Sequence, residues 1–182
     1  MATSKPPIRS LVIFVPVVAN SAIHMLYLFS IFILTVTLHA AEYPQMGPDI
    51  YSPTADAAED IAMALTLAKA ENKHVLLEFG ANWCVWCRRL HGLMETNRDV
   101  TRVLDQNHVL VMIDVNSRNG TKRNLATIEK YGNPTQHGLP VLVVLDASGK
   151  LLTTQETGAL EEGDAHSPAK VIAFLQQWAP PR

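Results

Sequence analysis

Val75-Leu76-Leu77-Glu78-Phe79 runs through Gly80-Ala81-Asn82 into Trp83-Cys84-Val85-Trp86-Cys87, and Arg88 to Glu95 follows directly. The first stretch is short and apolar, as a buried strand is. The last has the pattern of a helix, expected over Cys87–Glu95. Both cysteines of the chain sit on the turn between them. A C-x-x-C on a strand-to-helix turn is a dithiol redox layout. The first sulfur lands at the helix N-terminus, where unpaired backbone N–H groups and the dipole favour a thiolate. The second lies one turn further on, close enough to close a disulfide.

Upstream, Asp56 to Ala70 reads as a helix. Asp56 and Glu59 give it a capping-box-like start, and Ile61, Leu65 and Ala68 share a face. Glu71-Asn72-Lys73 breaks it. Glu42–Pro53 holds three prolines and reads as an extended linker. Downstream, Asp99–Gln106 is a second short helix and Val109–Val115 a buried strand. Asn116–Thr121 is a polar loop. Lys122–Tyr131 is helical and stops at Gly132-Asn133-Pro134. Val141–Leu145 and Leu151–Gln155 form a hairpin across Asp146-Ala147-Ser148-Gly149. Glu161-Glu162-Gly163-Asp164 is a solvated acidic loop. Ser167 caps a last helix with Pro168 at its first position, and Val171, Ile172, Leu175 and Trp178 face inward.

The N-terminus differs in kind. Lys5 and Arg9 precede Leu11–Leu38, 28 residues without a charged side chain, and Leu38-His39-Ala40 resembles a cleavage site. This is an export segment: a signal peptide cleaved near Ala40, or an uncleaved membrane anchor given its length. A start at Met25 would leave an apolar stretch of ordinary signal length. Pro16 and the lack of a polar face argue against a buried core helix. The expected division is therefore residues 1–40 as signal or anchor, 41–55 as linker and 56–182 as a folded domain. After Ala40, 13 basic residues stand against 17 acidic ones, which gives no support to a nucleic-acid surface.

VLLEF, WCVWC, and Gly138-Leu139-Pro140 just before VLVVL together resemble the thioredoxin-like family, over roughly Asp56 to Trp178. The W-C-x-W-C-[RK] form is similar to that of exported bacterial members. The resemblance implies an α/β thioredoxin fold, a central mixed sheet flanked by helices. It implies that Cys84 attacks, that Cys87 resolves, and that Pro140 is a cis-proline facing them. The Leu139 backbone would then pair with substrate. Glu78, six residues before Cys84, falls where the family has a buried aspartate that handles the proton of the second cysteine. A family lysine on the next strand has no counterpart in VLVMIDV. Val85-Trp86 replaces the usual Gly-Pro.

The function these readings imply is thiol–disulfide exchange with protein substrates outside the cytoplasm. It needs no cofactor beyond the Cys84–Cys87 disulfide, and a membrane thiol shuttle would suit it as electron source. Cys84, Cys87 and His91 also have the spacing C-x₂-C-x₃-H, which offers three metal ligands. The alternatives are therefore a metal-binding or metal-delivery module, and a non-catalytic thioredoxin-like binding domain. Simple haem attachment is excluded, since Arg88 rather than histidine follows Cys87. Trp83 and Trp86 flank the pair. Trp83 reads as packing at the turn, with a place in the substrate surface. Trp86 reads as an apolar contact for a partner polypeptide or as packing under the Tyr131–Gly138 loop.

Overall fold

Two strands buried on both faces form the centre of the sheet: β1 (His74–Gly80) and β3 (Val141–Leu145). β2 (His108–Asp114) runs parallel to β1, with His74 opposite His108 and Gly80 opposite Asp114. β3 runs antiparallel to β1 on its other side, placing Leu142 opposite Glu78. β4 (Leu151–Glu156) completes a four-stranded sheet in the order β2-β1-β3-β4. Strands covered on both faces read as continuous apolar runs, which is why VLLEF and VLVVL do. The structure is a computed structural model, and it describes residues 46–116 and 122–181.

The helices are α1 (Ala57–Glu71), α2 (Val85–Thr96), α3 (Arg98–Asn107), α4 (Leu125–Lys130) and α5 (Pro168–Gln177). Alternation along the strands sorts the core into two layers. Val75, Leu77, Phe79, Val141 and Val143 face α1 and α4. α1 meets them with Ala57, Ile61, Ala64 and Ala68. Leu76, Leu142 and Val144 face the other way, onto Leu90 and Met94 of α2, Val103 of α3 and Phe174 of α5. Glu78 and Gly80 share the parity of Leu76, so they too point toward α2.

Several element ends differ from the sequence reading for local reasons. α2 begins at Val85, two residues early, because Cys84 itself is the N-cap. α4 begins only at Leu125, because Asn124 takes a left-handed conformation, φ 52°, that a right-handed helix cannot include. The acidic stretch is ordered: β5 (Glu161–Glu162) pairs with β6 (Ala165–His166) around Gly163 at φ 61°. Ser167 stands at the N-cap of α5 but makes no capping hydrogen bond. Asp56 does cap α1, accepting from Ala58 N at 2.8 Å and Glu59 N at 3.3 Å. Of the stretch read as a linker, Tyr51 is 1% exposed. The segment Leu11–Leu38 and most of the Asn116–Thr121 loop lie outside the described residues. Among the described residues no helix is long and apolar enough to cross a membrane.

At the end of the sheet where β1 and β2 begin, His74 Nδ1 and His108 Nε2 lie 2.9 and 3.1 Å from the Trp178 carbonyl oxygen. That carbonyl closes α5, so the two rings tie the last helix to the start of β1 and β2. Burial pushes the His108 pKa down to about 4, although the hydrogen bond to Trp178 opposes the shift.

Candidate active site

Gly80 ends β1 where two groups crowd the α2 side of the sheet. A Cβ there would run into the Tyr51 ring and hydroxyl and lie 2.9 Å from Cys87 Sγ. Glycine lets the backbone pass beneath both. Ala81 to Trp83 then turn the chain, with Cys84 N donating to Ala81 O at 3.0 Å. Cys84 has extended backbone angles and caps α2: its sulfur accepts from Cys87 N at 3.1 Å. The two cysteines form a disulfide, with Cα atoms 5.2 Å apart, well inside the range that a disulfide spans. Cys87 is fully buried and Cys84 is 6% exposed. The family resemblance implies an exposed attacking thiol at Cys84, but the residue is largely covered.

That backbone arrives from the opposite side. The 3₁₀ turn Pro134–His137 leads into Gly138 at φ 96°, and the Leu139–Pro140 peptide is cis. Leu139 O lies 3.6 Å from Cys84 Sγ. Thr157 Oγ1 donates to Pro140 O at 2.7 Å and holds the turn from below. The structure therefore brings Cys84, Cys87, Leu139 and Pro140 into one place, although 55 residues separate Cys84 from Leu139.

Glu78 lies beneath them, completely buried. Tyr51 donates its hydroxyl hydrogen to Glu78 Oε1 at 2.6 Å. Glu78 Oε2 is buried without a hydrogen-bond partner among the described residues. Burial lifts the Glu78 pKa to about 7, and the bond from Tyr51 pulls the other way. Burial, then the Glu78 charge, raises the Tyr51 phenol well above its ordinary value.

Glu78 and His108 tilt stability in opposite directions over one pH range. Between pH 4.5 and 7 the unfolded Glu78 ionises while the buried one resists. Stability from this group falls as pH rises, by roughly 3 kcal/mol in all. Between 6.5 and 4 the unfolded His108 takes a proton that the buried one refuses, so stability falls as pH drops, by a similar amount of about 3 kcal/mol. Glu78→Gln removes the first slope and leaves the second. Urea unfolding between about pH 4 and 7 should then show stability rising more steeply with pH than in the wild type. Parallel curves for the two proteins would show that Glu78 titrates normally.

Trp86 is half-buried, and its ring meets His166 of β6 edge-on, with centroids 5.5 Å apart. The Arg89 guanidinium stacks 4.5 Å from the Trp86 centroid. Trp86 therefore packs against the β5–β6 hairpin. Trp83 is partly buried against Tyr51 and the cysteines. His91 turns Nε2 to Glu95 Oε1 at 3.2 Å. Among the described residues no group of three or more His, Cys, Asp and Glu side chains is arranged to hold a metal. The set Cys84, Cys87 and His91 is thus not assembled.

Two contributors escaped the sequence reading. Tyr51 sits in the stretch read as a linker, where its only signal is the apolar pair Ile50-Tyr51 among prolines. Asn82 clamps it: Asn82 Oδ1 accepts from Ile50 N and Tyr51 N, both at 2.9 Å, and Nδ2 donates to Tyr51 O at 2.9 Å. Arg88 adds bonds to Pro48 O at 2.8 Å and Asn82 O at 2.9 Å.

The sequence pattern of a thioredoxin-like family matches residues 56–147, just over half of the chain. The chain belongs to the thioredoxin-like family. Among solved structures of this kind, a disulphide isomerase from Xylella fastidiosa is 33% identical. The match covers 71% of this chain and 96% of that one, with a TM-score of 0.63. The thiol:disulfide interchange protein DsbD 2 of Pseudomonas aeruginosa is 30% identical over 137 residues, 70% of this chain. The corresponding protein of Actinobacillus pleuropneumoniae is 32% identical over 96 residues, 52% of this chain. The chain spans only 21% and 15% of the length of these two relatives. The Cys84–Cys87 disulfide at the head of α2 is the arrangement that thiol–disulfide exchange requires.

Proposed function

We propose that this thioredoxin-like domain works outside the cytoplasm, exchanging disulfides with protein substrates that approach along the Leu139 backbone. The observation that carries this reading is the placement of Cys84 Sγ at the start of α2, 3.6 Å from Leu139 O. A helix start favours the thiolate that attacks, and a strand-like backbone beside it can pair with an extended peptide. Export rests on Lys5, Arg9 and the apolar run Leu11–Leu38, with the segment either cleaved or kept as an anchor. Electrons would come from another dithiol protein, and a membrane shuttle suits an exported domain.

The chemistry uses the pair alone. The Cys84 thiolate attacks a substrate disulfide; one S–S bond forms as another breaks, and a substrate thiolate leaves. Cys87 then attacks Cys84 Sγ, freeing the second substrate sulfur and closing the Cys84–Cys87 bond. The substrate gains two electrons and the dithiol loses them. In an insulin-type disulfide reduction assay with a small dithiol as donor, the wild type should accelerate turnover. Cys84→Ser should fall to the rate of the donor alone. A Cys84→Ser variant as active as the wild type would remove the proposal.

A further inference from the structure

We propose that Tyr51 is a positioning residue for the resolving step, holding the Glu78 carboxylate so that its second oxygen accepts the proton Cys87 must lose. This rests on the exchange reading above. The observations are geometric. Tyr51 is delivered by a strap, Pro48 to Tyr51, fixed at both ends of the active-site turn by Asn82 and Arg88. Its phenol reaches across Gly80, where Cys87 Sγ also packs. Its hydroxyl occupies Glu78 Oε1 at 2.6 Å. Oε2, buried and unpartnered among the described residues, is the acceptor left open. A buried polar atom without a partner is rare and costly, which marks this one for a role.

The step balances without an outside base. In the mixed disulfide between Cys84 and substrate, the Cys87 thiol gives its proton to Glu78 Oε2. The Cys87 thiolate attacks Cys84 Sγ, and the substrate sulfur departs as a thiolate that takes a proton from water. When a donor dithiol later reduces the Cys84–Cys87 bond, Cys87 leaves as thiolate and recovers the proton from Glu78. Tyr51 stays protonated throughout and only steadies the carboxylate, since a hydrogen bond to the charged form favours that form.

Other charged groups near the pair are Arg88 of α2 and Asp114 of β2, which act on the Tyr51 phenol. Asp114 Oδ2 is itself held by Arg123 Nε at 3.2 Å. Cys84 and Cys87 pack against Tyr51 as well. None of these charged groups bonds to Glu78 among the described residues, so Tyr51 is the side chain through which its carboxylate is held.

Tyr51→Phe tests this, because it keeps the ring and removes only the donor. Release of substrate from the preformed mixed disulfide is followed against pH in a single turnover. The apparent pKa of release should move about one unit alkaline, slowing release about tenfold well below pH 7. Capture of substrate by Cys84 should change much less. In a Glu78→Gln background, adding Tyr51→Phe should change release no further. An effect of the same size in that background, or equal slowing of capture and release without a pH shift, would make Tyr51 merely structural. A wild type that exchanges no disulfide would overturn the functional reading itself. An active wild type whose Tyr51→Phe profile is unmoved would overturn only the role given to Tyr51. Should Tyr51→Phe not fold, wild-type release already decides: a rate independent of pH between about 5 and 8 would overturn the proton step.

Discussion

Cys87→Ser is expected to turn the protein into a trap. Cys84 keeps its place at the start of α2 and still attacks a substrate disulfide. No second sulfur then lies within reach to displace the substrate. The covalent adduct should accumulate to near one per protein, visible on a non-reducing gel and released by a thiol reductant, while multiple turnover falls to background. Cys84→Ser should form no adduct, because Cys87 has no exposed surface while Cys84 keeps 6%, and the more covered thiol is the less reactive one. The asymmetry between the two variants is the diagnostic feature. Adducts formed equally well by both would mean that the order of the two sulfurs is not the one assigned.

Gly80→Val should be among the most damaging changes in the domain. The position has no side chain because two others already fill its space, the Tyr51 phenol and Cys87 Sγ. Valine adds three carbons where even one collides with a ring and a sulfur. Neither neighbour can yield easily: Tyr51 is clamped by Asn82 and Cys87 by its helix and disulfide. Overpacking of this kind costs about 1–3 kcal/mol, occasionally more. The urea midpoint should drop accordingly, and exchange activity should drop further than stability explains, because both Tyr51 and Cys87 are displaced. A valine variant with unchanged midpoint and activity would show that the strap is free to move away.

Much of this fold was legible because its strands are short, apolar and separated by clear breaks. VLLEF and VLVVL are recognisable since both faces of β1 and β3 are covered, and the C-x-x-C turn fixes where the site must be. Leu139 and Pro140 were legible only through family resemblance, since nothing local in Gly-Leu-Pro brings it to a cysteine 55 residues away. Tyr51 was not legible. Prolines around it give the pattern of a spacer, and its burial depends on a clamp from Asn82, 31 residues on. The packing partner of Trp86 was not legible for a related reason. Its partner His166 lies on a two-residue strand, too short to leave a periodic signal. The capping of α2 by a cysteine was half legible: the motif announces the helix start, but only the backbone angles of Cys84 show that the helix begins at the very next residue.

The central claim is that two sulfurs at the head of α2 form a reversible couple that trades electrons with other proteins. Its most direct test is equilibration of the protein with graded ratios of oxidised and reduced thiol buffer, reading the Cys84–Cys87 state by alkylation. A reversible two-electron transition between about −120 and −270 mV is the expected result, the range spanned by known oxidants and reductants of this kind. A pair that stays oxidised below about −300 mV would behave as a structural staple and contradict the account.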